Sequence, residues 1–322
     1  MNDAYGRRID YLRISVTDRC DLRCVYCMPA DGVEWQPHER ILRYEELLRL
    51  CRIFVSLGVT RFKLTGGEPL VRKGLAELVR CIRAIPGVEA VTLTTNGVQL
   101  EQALPALLDA GIDGINLSLD TLDRARFAAL TRRDALPQVL RGLEAALAAP
   151  GLNLKLNCVA MPGRADDWIA LAQLAKAHPI AVRFIEPMPI GLGRDLAFCG
   201  EAEVRAALEA AFGPLRPFEG RLGNGPAQYF TAAGFAGELG FISAVSHQFC
   251  ERCNRVRLTA AGYLKTCLQY DVGADLAPLL EGPDDAIRAA IEDAIARKPE
   301  AHRFTAAQVD HREARIMSQI GG

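Results

Sequence analysis

The sequence predicts an α/β fold: a partial (β/α)6 TIM-like barrel followed by a C-terminal extension that carries a second group of cysteines. Six short β-rich runs alternate with segments of helical spacing, which is the pattern of parallel strands covered by helices. The chemically distinctive residues fall just after those runs, where the loops of a parallel barrel build a site. After Pro189 the composition shifts toward glycine and proline, marking a boundary between residues 1–190 and 191–322. An open doubly wound sheet shares the alternation, and pattern alone leaves both arrangements standing.

The elements follow in order. Tyr11–Val16 reads as a strand leading into Cys20-x3-Cys24-x2-Cys27, and Tyr44–Leu57 has helical spacing. Arg61–Thr65 runs into Gly66-Gly67-Glu68-Pro69 and is followed by a helix over Leu75–Ile85. Ala90–Thr95 ends in Asn96-Gly97, and Gly114–Leu119 ends in Ser118-Leu119-Asp120. Helical spacing over Leu136–Leu147 precedes a strand at Leu152–Ala160; a helix at Trp168–Ala177 precedes a strand at Ala181–Ile185, which meets Glu186-Pro187-Met188-Pro189. Beyond the boundary, Gly191–Gly193 and Gly220–Pro226 bracket a helix at Glu201–Phe212. Short β-like runs at Gln228–Thr231 and Gly240–Ala244 come next, and a helical tail is expected from Asp284 to Ile320.

The chain has 322 residues, half of them hydrophobic, with 38 Lys and Arg against 39 Asp and Glu. A net charge of −1 provides no global field for a polyanion, so nucleic acid is not an expected partner and any phosphate site must be a local cluster. No apolar run reaches the ~20 residues of a membrane span, and Met1–Asp10 lacks the apolar core of a signal peptide. A cytoplasmic location is expected. There, ten cysteines need a reason other than a disulfide framework. Cys51, Cys81, Cys158 and Cys199 stand alone; the first three fall in regular patterns as small buried apolar side chains, and none of the four is given chemistry.

The remaining six form two triplets: Cys20, Cys24 and Cys27, then Cys250, Cys253 and Cys267. Three thiolates on a compact loop suit a [4Fe–4S] cluster with one iron left open to a small chelating molecule. Zinc is the alternative, with His38 the nearest histidine to the first triplet and His247 beside the second, although the first spacing fits common zinc loops poorly.

Cys20-Asp21-Leu22-Arg23-Cys24-Val25-Tyr26-Cys27 resembles the C-x3-C-x-Φ-C signature of the radical S-adenosylmethionine superfamily. The resemblance implies a cluster that passes an electron to S-adenosylmethionine, splitting it into methionine and a 5′-deoxyadenosyl radical. It also implies that Gly67 and its Gly-Gly-Glu-Pro motif meet the methionine amino group, that Ser118 contacts the cofactor, and that Tyr26 and Met188 pack near the adenine. Tyr11–Cys20, the segment Cys253-Asn254-Arg255-Val256-Arg257-Leu258-Thr259 and the terminal Ile320-Gly321-Gly322 are together similar to the GTP 3′,8-cyclase family, lyases of the first step of molybdenum cofactor biosynthesis. That similarity spans nearly the whole chain, with residues 194–236 carrying no recognisable signal.

What this narrower resemblance implies is a second [4Fe–4S] cluster on Cys250, Cys253 and Cys267, facing the first across the barrel mouth and open to substrate. GTP contacts would come from Arg13, Lys63, Thr94, Lys155, Arg255, Val256 and Arg257, with Lys63 at a position where the family also carries Arg. Arg forks and Lys point charges suit a triphosphate. Lys155, between Leu154 and Leu156, should face a polar cavity or solvent. Singly, each basic residue reads as a solvated charge. Gly321 and Gly322 would thread into the mouth and act with Arg255 and Arg257 in catalysis, whereas a terminal diglycine by itself reads as a frayed end. The expected reaction removes hydrogen from C3′ of GTP and joins C3′ to guanine C8. The implied partners are an electron donor of flavodoxin or ferredoxin type and, downstream, the cyclic pyranopterin monophosphate synthase, with the chain a monomer or homodimer. A radical peptide-modifying enzyme is the rival within enzymes, disfavoured by the two arginines and the diglycine; a zinc-stabilised binding module is disfavoured by the neutral charge and six βα units.

Overall fold

The computed structural model describes residues 1–220, 222–305 and 313–321. Six parallel strands lie side by side in chain order: β1 (Tyr11–Ser15), β2 (Arg61–Thr65), β3 (Ala90–Thr95), β4 (Gly114–Ser118), β5 (Asn153–Val159) and β6 (Ala181–Ile185). Helices α1 (Tyr44–Ser56), α2 (Leu75–Arg83), α3 (Leu100–Asp109), α4 (Arg124–Thr131), α5 (Leu136–Ala148), α6 (Ala165–Ala177) and α7 (Glu201–Phe212) follow them, one or two per strand. These are the six βα units of the expected barrel.

Period-2 alternation divides each strand between two environments. Leu12, Ile14, Phe62, Leu64, Leu93, Leu117, Leu156 and Phe184 point outward and are buried in one core. The helices meet them with stripes at helical spacing, as in Leu47, Leu50, Cys51 and Phe54 of α1. The alternate residues, among them Arg13, Lys63, Thr92, Asn116, Lys155 and Arg183, line the interior.

The C-terminal region adds β7 (Arg216–Pro217), β8 (Gln228–Thr231), β9 (Glu238–Ile242), β10 (Arg255–Leu258), β11 (Tyr263–Lys265) and β12 (Gly273–Asp275). Its strands extend both edges of the same sheet. β9 joins β6 in parallel and β10 joins β1 in parallel, so eight adjacent strands run one way; β8 and β7, and β11 and β12, then continue antiparallel. The sheet curls without closing, with β7 and β12 at its ends.

Three expectations need correction. The helical tail is not continuous: α8 covers Asp284–Ala296 and α9 only Met317–Ile320. Pro299 restricts the residue before it to extended backbone, which ends the helix, while 306–312 lie outside the described residues. Helices α3 and α4 were not expected; Pro105 lies inside α3, and α4 has little apolar asymmetry to read. Cys81 is not a core residue but lies partly exposed on α2 with its thiol toward Glu77. Cys51, Cys158 and Cys199 are buried. Among the described residues, no helix is long and apolar enough to cross a membrane.

Candidate active site

A cavity of about 520 Å³ runs along the barrel interior, lined by the inward residues of β1–β6, β9 and β10 and by the loops at both strand ends. At the C-terminal strand ends, the loop after β1 carries Cys20, Cys24 and Cys27, all three lining the cavity. Its turn is closed by the Cys27 and Met28 amides donating to the Cys24 carbonyl at 2.9 and 3.1 Å. The Leu22 amide donates to Cys20 Sγ at 3.4 Å and Asn96 Nδ2 approaches the same sulfur at 3.8 Å. Burial pushes the Cys20 thiol up to about 12, Cys27 up to about 11 and Cys24 well above its ordinary value; the nearby carboxylates Glu68, Asp21 and Asp120 add to the effect at Cys20 and Cys24. Such soft donors, buried without a compensating cation, fit a group that brings its own positive charge, as iron does.

The loops after β2, β3 and β4 are tied together beside these thiols. A Cβ on Gly67 would run into the Asp18 and Arg19 carbonyls, and Gly67 N and Glu68 N donate to Thr17 O at 2.8 Å and Arg19 O at 2.7 Å. Only glycine allows that approach. Glu68 accepts from Leu70 N at 2.9 Å, Thr95 Oγ1 at 2.8 Å and Asn96 N at 2.6 Å, yet burial still holds its carboxyl up at about 7. The Tyr26 hydroxyl donates to Asp120 at 2.7 Å, and the other Asp120 oxygen accepts from Val159 N at 2.8 Å. Ser118 ends β4 and Met188 lies on the loop after β6; both border the cavity.

Cations fill the middle. The register sets Arg13 between Lys63 on β2 and Arg257 on β10, aligns Thr94, Asn116 and Lys155 across β3–β5, and places Asn157 beside Arg183. Burial, reinforced by neighbouring cations, lowers Lys63 and Arg257 well below their usual values and brings Lys155 down to about 8. Arg13 is lowered by burial as well. Among the described residues, Arg183 Nε, Arg255 Nε, Thr94 Oγ1 and Asn157 Oδ1 are buried without a hydrogen-bond partner. A nest of buried cations with unsatisfied donors calls for a polyanion. Val256 borders the cavity while its side chain packs in the core. Arg183 went unnoticed in the sequence, although a cation between Val182 and Phe184 carries the same signal as Lys155.

The second triplet lies at the opposite end of the cavity, not across the same mouth. Cys250 and Cys253 precede β10, and Cys267 follows β11, which returns antiparallel. Because β10 runs parallel to β1, with Arg255 opposite Tyr11, its approach is at the N-terminal strand ends. The four residue steps of β1 alone separate the two ends by about 13 Å. His247 is largely exposed and bonds Ser246 Oγ, and His38 sits on an exposed turn, so neither histidine stands with a triplet as a zinc ligand.

The C-terminal segment re-enters the barrel. Buried Glu313 pairs with Lys265 and Arg315, and its carbonyl accepts from Arg194. Gly321 is buried at φ 90°, its carbonyl accepts from Arg257, and a Cβ there would press on Ser15 and Thr65 at 3.0 Å. Gly322 lies outside the described residues.

Residues 14–175 match the Radical SAM superfamily and residues 180–304 match Molybdenum Cofactor Synthesis C. The crystal structure of Streptococcus suis SuiB bound to S-adenosylmethionine shares the fold, with a TM-score of 0.61 at 16% identity over 90% of this chain and 68% of that one. Fold, cysteine signature and strand-end loops together define a radical S-adenosylmethionine enzyme. Among curated relatives, the GTP 3′,8-cyclase of Pelotomaculum thermopropionicum is 48% identical over 100% of both chains, and that of Moorella thermoacetica 45% over the same coverage. GTP 3′,8-cyclase 2 of Pseudomonas aeruginosa is 44% identical over 99% of this chain and 98% of that one. The chain belongs to the GTP 3′,8-cyclase family.

Proposed function

We propose that this cavity converts GTP to (8S)-3′,8-cyclo-7,8-dihydroguanosine 5′-triphosphate, the first step of molybdenum cofactor biosynthesis. The observation that carries the reading is the file of buried cations between two cysteine triplets in one barrel. A cluster held by Cys20, Cys24 and Cys27, with S-adenosylmethionine, supplies a 5′-deoxyadenosyl radical when bound. The residues of the chain do the rest. Gly67 opens room for the methionine end against the loop backbone, Ser118 contacts the cofactor, and Tyr26 and Met188 border the adenine. Arg13, Lys63, Lys155, Arg183, Arg255 and Arg257 neutralise the triphosphate, and Thr94 positions the nucleotide between the two ends. Cys250, Cys253 and Cys267 would hold a second [4Fe–4S] cluster, which would offer an iron for the guanine to bind. Gly321 places backbone near the reacting ribose, where a side chain would press on Ser15 and Thr65, and Gly322 shares its proposed catalytic role.

In this reading residues 1–190 carry radical generation and 191–322 carry the second cluster and the tail. The reductant is of flavodoxin or ferredoxin type, the enzyme is cytoplasmic, and the product passes to the cyclic pyranopterin monophosphate synthase. An anaerobic single-turnover assay of reconstituted, dithionite-reduced protein with S-adenosylmethionine and GTP tests this. Joint appearance of 5′-deoxyadenosine and the cyclised nucleotide is expected; 5′-deoxyadenosine without a GTP-derived product would show that the substrate is another molecule.

A further inference from the structure

Two buried cations from opposite ends of the chain grip the second cysteine triplet. Arg7 pairs with buried Asp3 and donates to the carbonyls of Cys250 at 2.9 Å, Pro299 at 2.8 Å and Glu300 at 2.6 Å. The segment leaving α8 is thereby fixed against the turn that carries Cys250. Lys298 lies in that segment, only 4% exposed, and its ammonium donates to Arg255 O at 3.2 Å and to the Thr266 carbonyl. The first carbonyl is two residues past Cys253 and the second directly precedes Cys267, so one ammonium ties both ligand-bearing segments together.

Lys298 also stands beside the Cys253 sulfur. Its ammonium is hydrogen-bonded to backbone on both ligand-bearing segments, and Lys298 lines the same cavity as Cys250, Cys253 and Cys267. Among the described residues no carboxylate is paired with buried Lys298, whose ammonium meets only carbonyls there, so the sulfurs of the triplet are the anions at hand to balance its charge. The first triplet has a different setting, with the carboxylates Asp21, Glu68 and Asp120 nearby.

We propose that Lys298 is a positioning residue for the second triplet, holding Cys253 and Cys267 in ligating register and raising the reduction potential of the cluster bound there. Positive charge and donors near the sulfurs stabilise the reduced, more negative cluster. The proposal rests on reading this triplet as cluster-bearing.

The test uses full-length enzyme, reconstituted anaerobically, with iron counted and midpoint potentials read by EPR-monitored titration; added S-adenosylmethionine marks the first cluster's signal. In Lys298→Met the second cluster's midpoint should move to more negative potential while the first stays put, and Lys298→Arg should stay near wild type. Selective loss of the second cluster from a folded Lys298→Met protein, with Lys298→Arg retaining it, would equally support the holding role. Full iron with an unchanged midpoint in Lys298→Met would overturn the proposal, as would equal loss of the cluster from both variants, since that would make shape and not charge the requirement. Wild-type enzyme binding about four irons instead of the about eight of two [4Fe–4S] clusters would overturn the second-cluster reading itself, and the proposal with it.

Discussion

At the scale of single residues, burial does most of the chemistry visible in this site. Cys24, whose thiol burial pushes well up, is proposed as a cluster ligand, so Cys24→Ala is expected to abolish 5′-deoxyadenosine formation. Retained formation in an anaerobic assay would remove the first triplet from that role. Glu68 has a sharper signature. Its carboxyl is held up at about 7 by burial, above the ordinary carboxylate range, so it is protonated on the acid side of neutrality. A bound ammonium favours the carboxylate, and affinity for S-adenosylmethionine should therefore rise between pH 6 and pH 8, the window set by that value. Equilibrium binding across this range checks it, and Glu68→Gln should flatten the rise. The cysteines were legible as letters, because spacing on a loop is a local property. The environment of Glu68 was not, because its three donors come from Leu70, Thr95 and Asn96 on two different loops.

At the scale of elements, strand alternation is the device that separates core from site. β10 shows it in four residues: Val256 and Leu258 pack outward while Arg255 and Arg257 border the cavity. Replacing both arginines by Ala should weaken GTP binding by roughly 10²- to 10⁴-fold, the loss expected for two charge-assisted contacts of about 1.5–3 kcal/mol each, while slow cofactor cleavage without substrate turnover persists. Calorimetric titration with GTP reads the first effect, and unchanged affinity would refute the phosphate assignment. Strands β2, β3 and β6 were readable to the residue because their apolar faces are strong and their ends carry glycine, asparagine or proline. The break after α8 had a signal in Pro299 that the reading of one helical tail passed over; Arg297–Phe304 instead serves as a strap over the second triplet.

Across the whole molecule, the N-terminal segment and the segment beyond α8 converge on the far end of the barrel from the first triplet. Arg7 bridges Asp3 near the N-terminus to the segment beyond α8, and both partners are nearly inaccessible. Arg7→Ala would leave Asp3 and three carbonyls buried without their donor, a loss of about 3–5 kcal/mol for one broken buried pair, and a denaturant titration should register it as a lowered midpoint. An unchanged midpoint would mean that this bridge between the N-terminal segment and the segment beyond α8 is not coupled to the fold. The sequence by itself determined the six βα units, the two triplets and the family, since hydrophobic period, cysteine spacing and strand-end motifs are all recorded in short stretches of chain. The tertiary structure alone decided that the C-terminal strands extend both edges of one sheet, and that the triplets face each other along a cationic bore instead of sharing a mouth. The reason is register. Which edge β10 joins, and in which direction, depends on pairing between residues more than 240 apart, Tyr11 with Arg255, and no local pattern encodes the direction of that pairing.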